Sequence, residues 1–419
     1  MKKFFLSIIL LVILGCSSEA ETKIIINDSH LDYLYREISV NGKDMAVINI
    51  YSNYPEYNYI GDDDEGFACI DDAARAAVYY LRDAQLNNNS GSIHKNKMLI
   101  EFLLYMQADN GYFYNFIWDD YSINKDFKTS VAEANWWSWR ALWALTESYN
   151  YYEEIDKQYS GKLLFSIEKL IVNIKNNIPV EFTYETISGM EIPTWLIGKY
   201  ASDQSSILLQ GLVEYCKHTN DKIISEYMYK LIDGIIAMQV NDASSEFNGA
   251  FLSWMNEWHA WGNTQSYSLL KSYSLLKDKK LLDSARNELN NFYDNLIEKG
   301  YLTSFSVKNE NGKYFVIEKK EFSQIAYNIR PMIFALMEAY KITGDEMYAS
   351  NAGYAAKWLL GKNAAGVNMY DSETGIIFDG INSNSDVNKN SGAESTIEAL
   401  LSLQAISQSE TAAKAFLSN

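Results

Sequence analysis

Ile70-Asp71-Asp72-Ala73-Ala74-Arg75 opens an apolar helix directly after a loop rich in glycine and aromatic residues. The same event recurs at Glu133-Ala134-Asn135-Trp136-Trp137, at Ser202-Asp203-Gln204-Ser205 and at Gly262-Asn263-Thr264-Gln265. It returns at Phe322-Ser323-Gln324-Ile325 and at Asn390-Ser391-Gly392-Ala393-Glu394-Ser395-Thr396, roughly every 60 to 70 residues. A helical hairpin repeated at a fixed period cannot bury its apolar face alone and stacks on its neighbours. Six such units can close into a ring of inner and outer helices. The sequence therefore predicts an all-α fold, an (α/α)6 toroid of six helical hairpins, with the polar openings of the inner helices gathered at one mouth.

Working outward, the predicted pairs cover residues 71–86 with 92–108, 133–153 with 158–177, and 202–218 with 220–239. Three more cover 263–277 with 279–299, 323–343 with 345–361, and 391–407 with 409–417 closing the ring. A first helix is expected near Ser29 to Ile38. Turns within pairs are short and polar, as in Asn87-Asn88-Asn89-Ser90-Gly91 and Thr343-Gly344-Asp345. The loops between pairs are long (109–132, 178–201, 240–262, 300–322, 362–390), and long loops on one face point to function. Only 4 prolines in 419 residues suit long helices. With 47% hydrophobic residues and no Pro/Ser/Gly-rich linker, residues 29–419 read as one closed domain.

The N-terminus reads differently. Lys2 and Lys3 precede an apolar stretch, Phe4 to Leu14, that is too short to span a membrane as a mature helix. Ile13-Leu14-Gly15-Cys16 resembles a bacterial lipobox. That resemblance implies a lipoprotein signal peptide over residues 1–15, lipid on the Cys16 sulfur, and a tether over 16–28. The mature protein would then sit in the bacterial cell envelope, held to a membrane by its lipid anchor.

A net charge of −18 argues against nucleic acid as a partner, since that binding needs clustered Lys and Arg. His30, His94, His218 and His259 are scattered without metal-ligand spacing, so neither a metal nor another cofactor is expected. Cys69 and Cys216 do not make a disulfide framework. The expected partner is a carbohydrate, and a monomer is expected.

The long loops carry Tyr112, Tyr114, Trp118, Trp195, Trp258, Trp261 and Tyr370, and Trp136 opens an inner helix. Flat aromatic rings stack on the apolar faces of sugars and leave the hydroxyls to polar neighbours. Such rings can also be plain core. Four acidic places could carry catalysis. Asp71 and Asp72 open a helix, where the macrodipole favours negative charge, and either could activate water. Capping and an ion pair with Arg75 explain them equally well, with Asp71 the better cap. Glu394 sits in a capping-box pattern; under aromatic loops its pKa would rise, as a general acid requires. Glu257 stands beside His259, and Glu133 precedes an inner helix that carries Arg140 one turn in. Asp62-Asp63-Asp64 reads as a solvated loop.

Gly66-Phe67-Ala68-Cys69-Ile70-Asp71-Asp72-Ala73-Ala74-Arg75-Ala76 resembles the first inner helix of the six-hairpin, (α/α)6-toroid glycosidase-like proteins of bacteria and archaea. Gly111-Tyr112-Phe113-Tyr114-Asn115-Phe116, Arg140-Ala141-Leu142-Trp143-Ala144-Leu145 and the closing Asn388 to Thr396 fit the same group. The resemblance implies the toroid and carbohydrate-active chemistry. In the wider toroid glycosidases an N-terminal aspartate is the base and a C-terminal glutamate the acid, roles that would fall on Asp71 or Asp72 and on Glu394. The expected activity is glycoside hydrolysis with two carboxylates. A polysaccharide lyase and a non-catalytic glycan-binding lipoprotein are the alternatives, and an epimerase is weaker because only His259 is well placed for it.

Overall fold

The computed structural model describes residues 23–418; the expected signal peptide, Cys16 and the start of the tether lie outside the described residues. A short helix α1 (Ser29–Leu34) leads into α2 (Ile70–Asn87) and α3 (Ser90–Tyr105), α4 (Trp136–Ile155) and α5 (Lys157–Asn176), and α6 (Ser202–Cys216) and α7 (Lys222–Ala237). Then come α8 (Gln265–Leu276) and α9 (Lys279–Asn287), which runs through a π turn (Glu288–Tyr293) into α10 (Asp294–Lys299). The chain ends with α11 (Ala326–Thr343) and α12 (Glu346–Ala356), and α13 (Ala393–Ile406) and α14 (Glu410–Leu417).

Helices α2, α4, α6, α8, α11 and α13 each pack on the next, and α13 returns to α2, so the inner ring closes. Their partners α3, α5, α7, α9 and α12 pack outside them, and α14 lies along α12. This is the (α/α)6 toroid. The sequence explains which helix goes where. α6 buries every residue except Gln204 and Cys216, as a helix enclosed on all sides must. α7 buries a single stripe, Ile224, Tyr227, Met228, Leu231, Ile232 and Ile235, and turns its other face to water. Gly211 brings α4 close to α6, since a Cβ there would stand 2.7 Å from Leu142 Cγ.

Local chemistry sets the boundaries. Cys69 caps α2, its Sγ accepting from the Asp72 N–H. Asn88 ends α2 in the left-handed region, and the Asn89 side chain caps α3. The predicted helix over 29–38 stops at Leu34. Tyr35–Val40 instead forms a strand antiparallel to Lys43–Ile48, because Asn41 and Gly42 (φ 52° and 75°) make a tight hairpin turn. The connections expected as plain loops also hold strands: Tyr184–Ile187 with Met190–Pro193, and Gly380–Ser383 with Asp386–Asn388. A third sheet joins Glu257–His259 to the hairpin Ser304–Glu310/Lys313–Lys320.

At the C-terminal ends of the inner helices a cavity of about 520 Å³ opens, lined among others by Arg82, Glu147, Glu214 and Lys271. Arg82 pairs with Glu147 at 2.8 Å and Lys271 with Glu214 at 2.8 Å. Cations are favoured where helix carbonyl ends converge, so these pairs belong to the ring's own electrostatics.

Candidate active site

The opposite end, where the inner helices begin, gathers the charge. On α2, Asp72 is buried: its Oδ1 accepts from Arg75 Nη2 at 2.7 Å and its Oδ2 from Cys69 Sγ. Burial pushes its pKa up to about 6 against the pull of Arg75. Asp71, with its side chain 20% exposed, pairs through Oδ2 with Arg140 of α4 at 2.6 Å, while Oδ1 has no hydrogen-bond partner. Arg75 reaches across to α13, donating from Nη1 to Glu394 at 3.1 Å and to Glu398 at 3.0 Å. Glu398 is fully buried and also takes Arg330 of α11.

Tyr327 sits at the centre of this network. The guanidinium carbons of Arg75, Arg140 and Arg330 each lie 5.3 Å from its ring centroid, and Arg140 donates to its hydroxyl at 2.6 Å. Trp136 lies 5.2 Å from the Arg140 guanidinium. Gly262 brings the next loop in: a Cβ on it would meet Trp136 at 2.7 Å and the Tyr327 hydroxyl at 2.8 Å. His259 bonds Asp203 through Nε2 and the Trp261 carbonyl through Nδ1, both at 2.9 Å, and stacks 3.9 Å from the Trp261 ring.

Glu394 is not a cap. The α13 backbone is held instead by Asp379, which accepts from the Gly392 N–H and the Ser395 hydroxyl. The Glu394 side chain is 44% exposed, so the desolvation expected of it is not supplied by the protein alone. Asp71 is not a cap either, since Cys69 takes that place, whereas Asp72 makes the intrahelical pair with Arg75.

The other expected residues divide. Asp71, Glu394, Trp136, Arg140, His259 and Trp261 come together at the mouth. Glu133 is exposed, its carboxylate accepting from Asn135 and its carbonyl from Ser138, and Glu257 lies half-buried in the strand against Ser306. Several rings expected to bind sugar are core instead. Trp195 donates to the Lys230 carbonyl beneath Phe182 and Tyr184, and Trp258 stacks on Phe305. Tyr112 is buried edge-on to Trp139, and Tyr370 anchors the N-terminal segment at Ile25 and Asn27. Tyr114 and Trp118 are half-buried in the 109–132 loop. Exposed rings come from elsewhere: Trp254 pairs with Ala201 at the head of α6, and Tyr54 bonds Asn390 just before α13. Asp62–Asp64 is an exposed turn held by Asp62 Oδ1.

Sequence reasoning missed Tyr327, Arg330, Glu398 and Asp203 as site residues. Their signal was present: Tyr327/Arg330 and Glu394/Glu398 are polar pairs three and four residues apart at the head of otherwise apolar inner helices.

No protein-family model matches the chain, and no curated protein matches it. Solved structures do. The chain is similar to a cellobiose 2-epimerase from Bacillus thermoamylovorans at 13% identity and TM-score 0.60, covering 93% of this chain and 97% of that one. It is similar to a family 76 glycoside hydrolase from a bovine Bacteroides thetaiotaomicron strain at 13% identity and TM-score 0.57, covering 93% and 79%. A sugar epimerase from a ruminal bacterium matches at 14% identity and TM-score 0.56, covering 86% and 92%. At these identities the likeness establishes the fold.

Proposed function

We propose that the protein is an exported, lipid-anchored glycoside hydrolase whose reaction takes place at the mouth of the ring. The observation that carries this reading is the pair of partly exposed carboxylates at the heads of α2 and α13, Asp71 and Glu394, each anchored by a buried guanidinium, with Trp136 packed on the Arg140 guanidinium that holds Asp71. Asp71 takes over the role expected of Asp72. A base must touch the water it activates, and Asp72 is enclosed by Arg75 and Cys69, whereas the Asp71 side chain is 20% exposed. Glu394 is assigned as the acid because it is the most exposed carboxylate of the cluster, at the head of α13, where it can reach a leaving oxygen.

Every carboxylate in this cluster touches a guanidinium, which also suits a glycan-binding protein without catalysis; the free Asp71 oxygen is the feature that reading leaves unexplained. A lyase would need a guanidinium left over for a uronate, and Arg75, Arg140 and Arg330 are all engaged by carboxylates. An epimerase would need a ring nitrogen facing the sugar, and both nitrogens of His259 are occupied.

The test is reducing-sugar release from a panel of glycans by the protein and by its Asp71→Asn and Glu394→Gln variants. Loss of activity in both variants supports the assignment. Activity surviving in both moves catalysis elsewhere, and glycan retention without release by the unmodified protein selects the binding-only reading.

A further inference from the structure

Of the ten tryptophans in the chain, two are exposed among the described residues, Trp254 and Trp261, and both stand in the long connection before α8. An indole is large and apolar and is mostly buried on average. Trp261 is 37% exposed, yet its ring is firmly held. The imidazole of His259 lies parallel against it, with 3.9 Å between centroids and 12° between planes. That imidazole is itself fixed at both nitrogens. Nδ1 bonds the Trp261 carbonyl and Nε2 bonds Oδ2 of Asp203, each at 2.9 Å. Asp203 is buried in the first turn of α6, and its Oδ1 accepts from the Gln204 N–H. The His259 backbone is held too, its N–H donating to Ser253 Oγ at 3.0 Å.

The order of burial is inverted here. An aspartate and a histidine lie inside, where each costs free energy unless it is hydrogen-bonded, and the indole they support lies outside. Parallel stacking covers one indole face with His259, so the exposure of Trp261 belongs to the opposite face and the ring edge. The next residue puts this ring at the mouth. Gly262 packs so tightly that a Cβ on it would lie 2.7 Å from Trp136 and 2.8 Å from the Tyr327 hydroxyl. That hydroxyl accepts from Arg140, the partner of Asp71. A flat, open indole face in this position suits the C–H face of a sugar ring, whose hydroxyls stay with water and polar neighbours. Holding the indole in place before the sugar arrives lowers the ordering cost of binding.

We propose that Trp261 is a stacking platform for a pyranose ring with an uninterrupted C–H face, and that Asp203 and His259 are positioning residues that hold it. This rests on the carbohydrate reading above and adds to it where one sugar ring lies.

The test titrates the protein with gluco-, manno- and galacto-trisaccharides by calorimetry and repeats the titration with Trp261→Ala, Asp203→Asn and the double variant. Acrylamide quenching of tryptophan fluorescence is measured beside it, with and without saturating sugar. Trp261→Ala should weaken binding about tenfold or more and change the melting temperature little, since the ring is exposed. Asp203→Asn keeps the shape and one acceptor oxygen. It should weaken binding about threefold or more when Trp261 is present and not at all when Trp261 is gone, because its effect runs through that ring. Sugar should shield the unmodified protein from acrylamide, and the shielding should vanish in Trp261→Ala. Should Asp203→Asn fail to fold, His259→Gln takes its place in the cycle with the same expected pattern, since its amide can still bond Asp203 but offers the indole no ring. Unchanged binding and retained shielding in Trp261→Ala would overturn the proposal and leave the carbohydrate reading intact. An equal loss of affinity from Asp203→Asn in both backgrounds would overturn the positioning role. Failure of every sugar to bind would bring down the carbohydrate reading and this inference with it.

Discussion

Asp71 and Asp72 are adjacent, yet the helix sends them to different environments. Residues one apart on a helix point about a quarter-turn away from each other, so when Asp72 pairs with Arg75 inside the ring, Asp71 is left for Arg140 at the mouth. Asp71→Asn should therefore lower kcat by about 10²- to 10⁴-fold with little change in KM, as loss of a positioned acid or base does, and should also lower the melting temperature, because the buried Arg140 loses its charged partner. Asp72→Asn should act through the pH profile. Burial holds Asp72 at about 6, and it shares Arg75 with Glu394. As pH rises through 6 it becomes charged and draws more strongly on the guanidinium. A limb of the rate profile near pH 6 that persists unchanged in Asp72→Asn would show that Asp72 has no part in it.

The helical elements were largely legible in the sequence because apolar periodicity and asparagine, aspartate and glycine stops act locally. Five inner–outer pairs fall where those signals place them, and even the turn at Gly344 and the cap at Asp345 are readable; residues 409–417 form the expected last helix, but it lies along α12 and the ring is closed by α13 on α2. Two element-scale features depend on neighbours and could not be read. Gly353 on α12 packs so closely on α14 that a Cβ would lie 2.3 Å from the Ala412 carbonyl oxygen. Glycine to alanine inside a helix normally stabilises by up to ~1 kcal/mol. Here Gly353→Ala should instead destabilise by about 1–3 kcal/mol through overpacking, read as a lower urea midpoint. The π turn after α9 buries Glu288 completely, its oxygens accepting from the Phe251 N–H and the Ser266 hydroxyl, and no basic side chain among the described residues pulls on it. Burial pushes its pKa up to about 7 from an ordinary 4.5. The fold thus prefers the protonated form, so its contribution is whole below about pH 4.5 and is lost as pH rises through 7. Glu288→Gln keeps the shape and both partners. It should stabilise the protein at pH 8 by up to about 3 kcal/mol and hardly at all at pH 4, measured by chemical unfolding at the two pH values.

At the scale of the whole molecule, ring closure brings together residues that lie hundreds of positions apart, and this is why the site was less legible than the fold. Periodicity shows that α13 must return to α2, but not that Arg75 will meet Glu394 and Glu398 there, nor that Arg330 and Arg140 will flank Tyr327. The aromatic loops misled for the same reason. A tryptophan such as Trp195 in a long connection reads as a sugar platform until the outer helix it covers is known. Glu398 ties the closure together, fully buried between Arg75 of α2 and Arg330 of α11. Burial alone would raise its pKa, but Arg330 and Arg75 more than offset that and hold it below the usual carboxylate range. Its contribution to stability is therefore present above the unfolded pKa of about 4.5 and is lost only as pH falls below that. Glu398→Gln leaves two buried guanidiniums facing a neutral amide, and breaking one side of a buried charge network costs about 3–5 kcal/mol. Urea unfolding at pH 7 should show that loss, and the gap between the variant and the unmodified protein should narrow as the pH is taken down below 4.5 and Glu398 takes up its proton. A gap that keeps its size over that range would mean that the ring is closed by packing of α13 on α2 and not by this charge network.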